Sequence, residues 1–172
     1  MSRVSLIEEE EHPELAETIA RIRGNRGGKL RTFYKVMLHS PALALSWVEQ
    51  SASMRTKTDL DSGTRELATM RVALLTRDHT AFKIHATEYA EKAGLSKAQC
   101  DALDDWLKSA LFDEKQRAAL AYTDAMTIAV QVPDEVFRAV KKHYTERQIV
   151  ELTVLIGSYN MHTRVLQALE IE

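Results

Sequence analysis

The stretch RDHTAFKIH, residues 77 to 85, sets an aspartate, two histidines and a lysine within nine positions, downstream of Glu66 in RELATMRVALL. These residue types suit general acid–base chemistry. At about 100° per residue, Asp78, Phe82, His85 and Tyr89 fall on one helix face with Ala81 at its edge, while His79 and Lys83 lie off it. In the preceding segment Leu67, Met70 and Leu74 make an apolar stripe, with Glu66 at its margin beside Met70 and Ala73. Consecutive helices joined by a short turn usually pack together, so Glu66 and His85 can meet across the seam. A carboxylate beside an imidazole fixes the ring's tautomer and raises its proton affinity, which makes an acid–base unit. Asp78, at a helix start, is held ionised by the free N–H groups there. Spacing alone leaves a plainer reading open: a satisfied core histidine, and a glutamate that merely favours the first turn of its helix.

Helices must position these residues, and the chain reads as almost entirely helical. Three prolines and six glycines are spread over 172 residues, and no alternating strand pattern persists. Pro13 opens a first helix to about residue 23, broken by GNRGG (24–28); residues 29–38 follow. Ser40-Pro41 reads as a cap and first turn of a helix to about residue 54. Thr64 caps 65–76, Asp78 caps 79–93, and Gly94 ends that helix. A short helix from Ser96, then 113–130, 133–144 and 146–169 complete a single all-α domain, 1–172, with residues 1–29 as an N-terminal helix and turn. A weak repeat at an offset of 82 aligns TRELA (64–68) with ERQIV (146–150), Asp78 with Asn160 and His85 with Gln167. Because the second copy holds Gln148 and Gln167 where the first holds Glu66 and His85, the comparison puts any proton chemistry in the first.

Composition narrows the class. Apolar residues are 45% and charged residues 28%, which is ordinary globular usage. A net charge of −2 gives no general attraction to nucleic acid or anionic lipid. No apolar run approaches the ~18 residues of a membrane span, and the acidic start MSRVSLIEEEEHPEL is no signal segment, so a cytoplasmic protein is expected. Cys100 is the single cysteine, which excludes an intrachain disulfide. His79 and His85 lie on opposite sides of a helix, and His39, His143 and His162 lack ligand spacing, so no metal site is expected. KKHY (141–144) is too small a basic cluster for nucleic-acid recognition.

RELATMRVALL, then DHTAFKIH, then AxxYAxKAGLS resembles the carboxymuconolactone decarboxylase family with the alkylhydroperoxidase D-like fold. The closing segment YTERQIVELTVLIGSYNMHTRVLQALEIE is similar to that family's last helix. The resemblance covers residues 30–172 and is most specific over 64–96. In the family's peroxidase branch a glutamate is followed, after eleven residues, by Cys-x-x-Cys, three more residues and a histidine. On this chain the glutamate is Glu66 and the histidine His85, and the cysteine positions hold Asp78 and Ala81. A dithiol peroxidase needs one thiolate to attack peroxide and a second thiol to resolve the sulfenic acid, and neither residue can do either.

The resemblance therefore implies the decarboxylase branch: a lyase or isomerase without organic cofactor or metal, acting on a small lactone or oxoacid. It makes Glu66 and His85 catalytic and places Asp78, Ala81, Phe82, Arg71 and Lys83 around them, with Arg71 or Lys83 as the cation for a substrate carboxylate. It also implies a homo-oligomer, trimer or hexamer, with a small-molecule substrate and neither nucleic acid nor membrane as partner. Two alternatives stand beside it. One is an oligomeric small-molecule binder or assembly protein that has kept the fold and lost the chemistry; the weaker is an antioxidant activity of the alkylhydroperoxidase type, disfavoured by the missing cysteine pair.

Overall fold

The computed structural model describes residues 2–171, and among these every regular element is helical. The all-α domain is built of two compact units, one comprising the chain up to Thr58 together with Val165 onward, the other Asp59–Arg164. The boundary between them lies at residue 58, and the chain's last residues belong to the first unit.

In the first unit α1 (Ala16–Gly24), α2 (Thr32–Met37) and the start of α3 (Pro41–Thr56) enclose an apolar core. Ile19 and Ile22, one turn apart on α1, pack with Phe33, Tyr34, Val36, Leu38, Ala44 and Val48. The first helix begins later than expected, because Pro13–Leu15 forms only a 3₁₀ turn ahead of Ala16. The acidic run is not simply solvated: Glu8 pairs with Lys35 at 2.5 Å and Glu9 with Arg23 at 2.6 Å. Pro41 occupies the first turn of α3 as expected, although the Ser40 side chain makes no capping bond.

The second unit holds the candidate site. Its central helix is α4 (Ser62–Leu75), in which every residue from Glu66 to Ala73 is buried, so the expected single apolar stripe is replaced by burial all round. The cap is Asp61 rather than Thr64: its Oδ1 accepts from the Thr64 amide at 2.8 Å. α4 packs on α7 (Glu114–Asp124) and on α5 (His79–Ile84). Between α4 and α5 the Asp78 amide donates to the Ala73 carbonyl at 2.8 Å and the Arg77 amide to Leu74 at 3.1 Å. This is the double bond of a Schellman ending, with Arg77 (φ +59°) in the left-handed position that glycine usually fills. It hands the chain directly to Asp78, whose Oδ1 caps α5 through the Ala81 amide at 2.9 Å.

The expected continuous helix 79–93 is divided. After α5, residues His85–Tyr89 form a π-helical turn and Glu91–Ala93 a 3₁₀ turn, ended by Gly94 at φ +81°. π-Turns widen a helix by one residue and recur at functional sites; here the widened turn begins at His85. The same happens after α7, where Ala125–Ala129 make a π-turn instead of continuing to residue 130. Capping boxes start α6 (Lys97–Ala102) at Ser96 and α7 at Asp113. α8 (Asp134–His143) and α9 (Glu146–Leu169) follow, the latter led by a reciprocal pair between Thr145 and Gln148. Leu67, Met70, Ala90, Leu95, Cys100, Leu103, Trp106, Phe112 and Leu120 form the core.

Candidate active site

Glu66 sits in the second turn of α4 and His85 opens the π-turn, and the two meet as the spacing suggested. His85 Nδ1 lies 2.6 Å from Glu66 Oε2. A carboxylate offers only acceptors, so the ring N–H is on Nδ1 and Nε2 is left with its lone pair while the imidazole is neutral. Both side chains are largely enclosed, at 9% exposure for Glu66 and 16% for His85.

Nε2 is directed to a residue that spacing did not single out. The Tyr159 hydroxyl, on α9, lies 3.4 Å from it, and the Tyr159 ring meets the imidazole edge-on with centroids 5.6 Å apart. The Tyr89 ring, on the face expected to hold it, lies tilted by 42° to the imidazole with centroids 5.3 Å apart. The imidazole is thus bounded by a carboxylate at one nitrogen, a phenol at the other and an aromatic ring beside it. The signal for Tyr159 was present in the last helix, but no pattern separated it from Asn160, His162 and Arg164. Of these, Asn160 bonds Thr127 at 2.9 Å, and Arg164 bonds the Asn160 carbonyl at 3.0 Å.

A cation also borders the pair, though not one of those expected. Arg65 Nε lies 3.6 Å from Glu66 Oε1, the carboxylate oxygen that His85 does not use. Arg71 is engaged elsewhere: Nε and Nη2 hold Asp124 at 2.6 and 2.9 Å, and Nη1 donates to the carbonyls of Leu103 and Asp104. Trp106 Nε1 adds a bond to the same Asp124 at 3.1 Å, which makes a buried, fully partnered network that holds α4 to α7. Lys83 is exposed, on the rim of a cleft of about 690 Å³ floored by Phe82, Ala86, Ala90, Leu95 and Cys100. Phe82 therefore faces this cleft, and Ala81 contributes the amide that Asp78 caps.

Asp78 Oδ1 is used in that cap, and its Oδ2 is buried without a hydrogen-bond partner; the same holds for Thr69 Oγ1 and Arg65 Nε. Cys100 is buried, and burial first, then the neighbouring Asp101 charge, pushes its thiol above the ordinary value. A thiol so placed is a poor nucleophile. Among the described residues no three His, Cys, Asp or Glu side chains gather as a metal site. No described helix is long and apolar enough to cross a membrane.

Residues 41–125 match the model of the carboxymuconolactone decarboxylase family. The chain is 29% identical over 131 residues to the uncharacterized protein YnjA of Escherichia coli (strain K12), covering 76% of this chain and 69% of that one. It is 27% identical over 111 residues to the uncharacterized protein YdfG of Bacillus subtilis (strain 168), covering 63% and 75%. Among solved structures, the debrominase Bmp8 bound to 2,3,4-tribromopyrrole superposes with a TM-score of 0.81 at 16% identity, over 100% of this chain and 93% of that one. A protein of unknown function from Agrobacterium tumefaciens, named for AhpD-type antioxidant defence, gives a TM-score of 0.72 at 23% identity, over 78% and 92%. The alkylhydroperoxidase AhpD core from Ralstonia eutropha JMP134 gives 0.77 at 15% identity, over 99% and 91%. At these identities the structures speak for the fold.

Proposed function

The chain matches the carboxymuconolactone decarboxylase family model over residues 41–125 and has the alkylhydroperoxidase D-like fold, and from that premise we propose that it is a member of that family and an acid–base lyase or isomerase acting on a small lactone or oxoacid. The observation that carries the reading is the 2.6 Å contact between His85 Nδ1 and Glu66 Oε2, made by enclosed side chains nineteen residues apart. Glu66 holds the ring so that Nε2 is the working nitrogen and stabilises the imidazolium that forms when Nε2 takes a proton. Tyr159, at that nitrogen, is placed to pass or share the proton. In a decarboxylation the electron pair left by departing CO2 moves onto a carbonyl, and the protonated ring returns its proton to carbon. Acid–base catalysis of this kind contributes about 10²–10⁴-fold, so charge stabilisation must supply much of the rest. The dithiol route is closed to this chain, because Asp78 and Ala81 stand where it needs thiols.

The deciding experiment is nitrogen NMR of the His85 ring in wild type and Glu66→Gln, which reads where the ring proton sits. The proposal expects the proton on Nδ1 in wild type, held by the carboxylate, and an altered Nδ1/Nε2 pattern when Glu66 becomes an amide. Ring nitrogens that are alike in both proteins remove the acid–base site and leave a binding protein of the same fold. Assembly into a trimer or hexamer belongs to the same proposal. It expects light scattering to give a multiple of the 19.5 kDa chain mass.

A further inference from the structure

We propose that Arg65 is the anion-binding residue of this site and that the ligand it takes carries a carboxylate, held against the guanidinium beside the Glu66–His85 pair. The inference rests on the acid–base reading for the identity of the site, and it assigns the group that reading lacks: the residue that anchors a charged substrate.

The argument begins with what Arg65 does not do. A guanidinium has five N–H donors, and buried donors in native proteins almost always meet an acceptor. Arg65 Nε is sealed from solvent without one. Among the described residues its polar contact is the 3.6 Å ion pair with Glu66 Oε1, which exceeds hydrogen-bonding distance. Its side chain is 19% exposed, so the group is mostly enclosed yet still open on one side. Arg71, one and a half turns along the same helix, shows the contrast: there Nε, Nη1 and Nη2 all have acceptors, and the residue is structural. A second surplus donor points the same way. Thr69 Oγ1, one turn from Arg65 on the same face of α4, is also buried without a partner.

Charge supports the same assignment. With His85 neutral, Arg65 and Glu66 cancel. With His85 protonated, the three groups sum to +1, and a monocarboxylate restores neutrality. A guanidinium suits such a ligand because its fork matches the two carboxylate oxygens, with hydrogen bonds stronger than neutral ones.

The test uses 4-oxopentanoate as a probe, with its methyl ester as the uncharged counterpart. Both are titrated into the full chain while the His85 ring resonances are followed by NMR. The proposal expects the acid, and not the ester, to move those resonances saturably. Arg65→Gln should weaken the acid by about tenfold or more, Arg65→Lys by less, and Lys108→Gln, which removes an exposed charge outside the cleft lining, not at all. Circular dichroism and thermal melting establish that each variant is folded, and Arg65→Lys serves if Arg65→Gln is not. Equal binding of acid by wild type and Arg65 variants overturns the proposal, as does equal binding of the ester, or no response of wild type to the acid at its solubility limit. If the acid binds through Arg65 while His85 proves uncoupled from Glu66, the anion site stands and the acid–base reading falls. If the coupling holds and Arg65 is indifferent, only the present inference falls.

Discussion

At the scale of single residues, the site is a short series of contacts in which each atom's partner limits what the next can do. Glu66 uses Oε2 on His85, which leaves Nε2 to face Tyr159. At 3.4 Å that last contact is long, so Tyr159→Phe should leave the His85–Glu66 coupling intact while shifting the Nε2 nitrogen resonance. An Nε2 resonance identical in both proteins would show that the phenol makes no bond there in solution. Cys100 gives the opposite kind of prediction. Burial and Asp101 push its thiol up, so the reactive thiolate is scarcer near neutral pH than in free cysteine. Iodoacetamide should therefore label the native chain far more slowly than the urea-unfolded chain, and Cys100→Ser should leave any turnover unchanged. Rapid native labelling would reopen a thiol chemistry.

At the scale of elements, caps and turns set the site. α4 carries both Arg65 and Glu66, and its start is fixed by Asp61, which accepts from the Thr64 amide and hydroxyl at 2.8 and 2.9 Å and from Lys115 Nζ at 2.8 Å. Partial burial pushes the Asp61 carboxyl up, but the Lys115 and Thr64 bonds outweigh it, and the net result lies below the ordinary value. A carboxylate with a lowered folded-state pKa contributes stability that is present above its unfolded value, ~3.9, and lost as pH falls through the folded value. Asp61→Ala should thus cost about 1 kcal/mol at pH 7, a typical cap loss, and the gap from wild type should close below about pH 4. Urea melts at several pH values measure it, and a gap that persists in acid would mean that packing, not charge, carries the loss. Tyr144 is a second tie at this helix start. Its hydroxyl lies 3.0 Å from Thr64 Oγ1 and donates to the Lys115 carbonyl, and burial pushes the phenol up to about 12.

At the scale of the whole molecule, sequence carried the helical class and the meeting of Glu66 with His85, because 3.6-residue periodicity and a short inter-helix turn constrain both. The interruption of the helix at His85 was not visible, since HATEY is as compatible with an α-turn as with the π-turn it forms. Nor was the exchange of roles between two arginines on α4. Arg71 and Arg65 look equivalent in sequence, and only the packing of Asp124 and Trp106 against Arg71 tells them apart. The division into two units was equally hidden, because the boundary at Thr58 falls in a polar loop like several others. Whether those units unfold as one is open to direct measurement, since each holds one tryptophan: Trp47 beside the first core and Trp106 within the second. The sequence reading of a single domain, together with a helix, α9, that supplies residues to both units, predicts one cooperative transition. In Trp47→Phe and in Trp106→Phe the remaining indole fluorescence should melt with the same midpoint as the far-ultraviolet dichroism of that variant. Trp106→Phe should be less stable than wild type, because it loses the Asp124 bond. A fluorescence midpoint that departs from the dichroism in either protein would mean that the units unfold separately, and a Glu66→Gln or Arg65→Gln destabilisation would then have to be read from Trp106 alone.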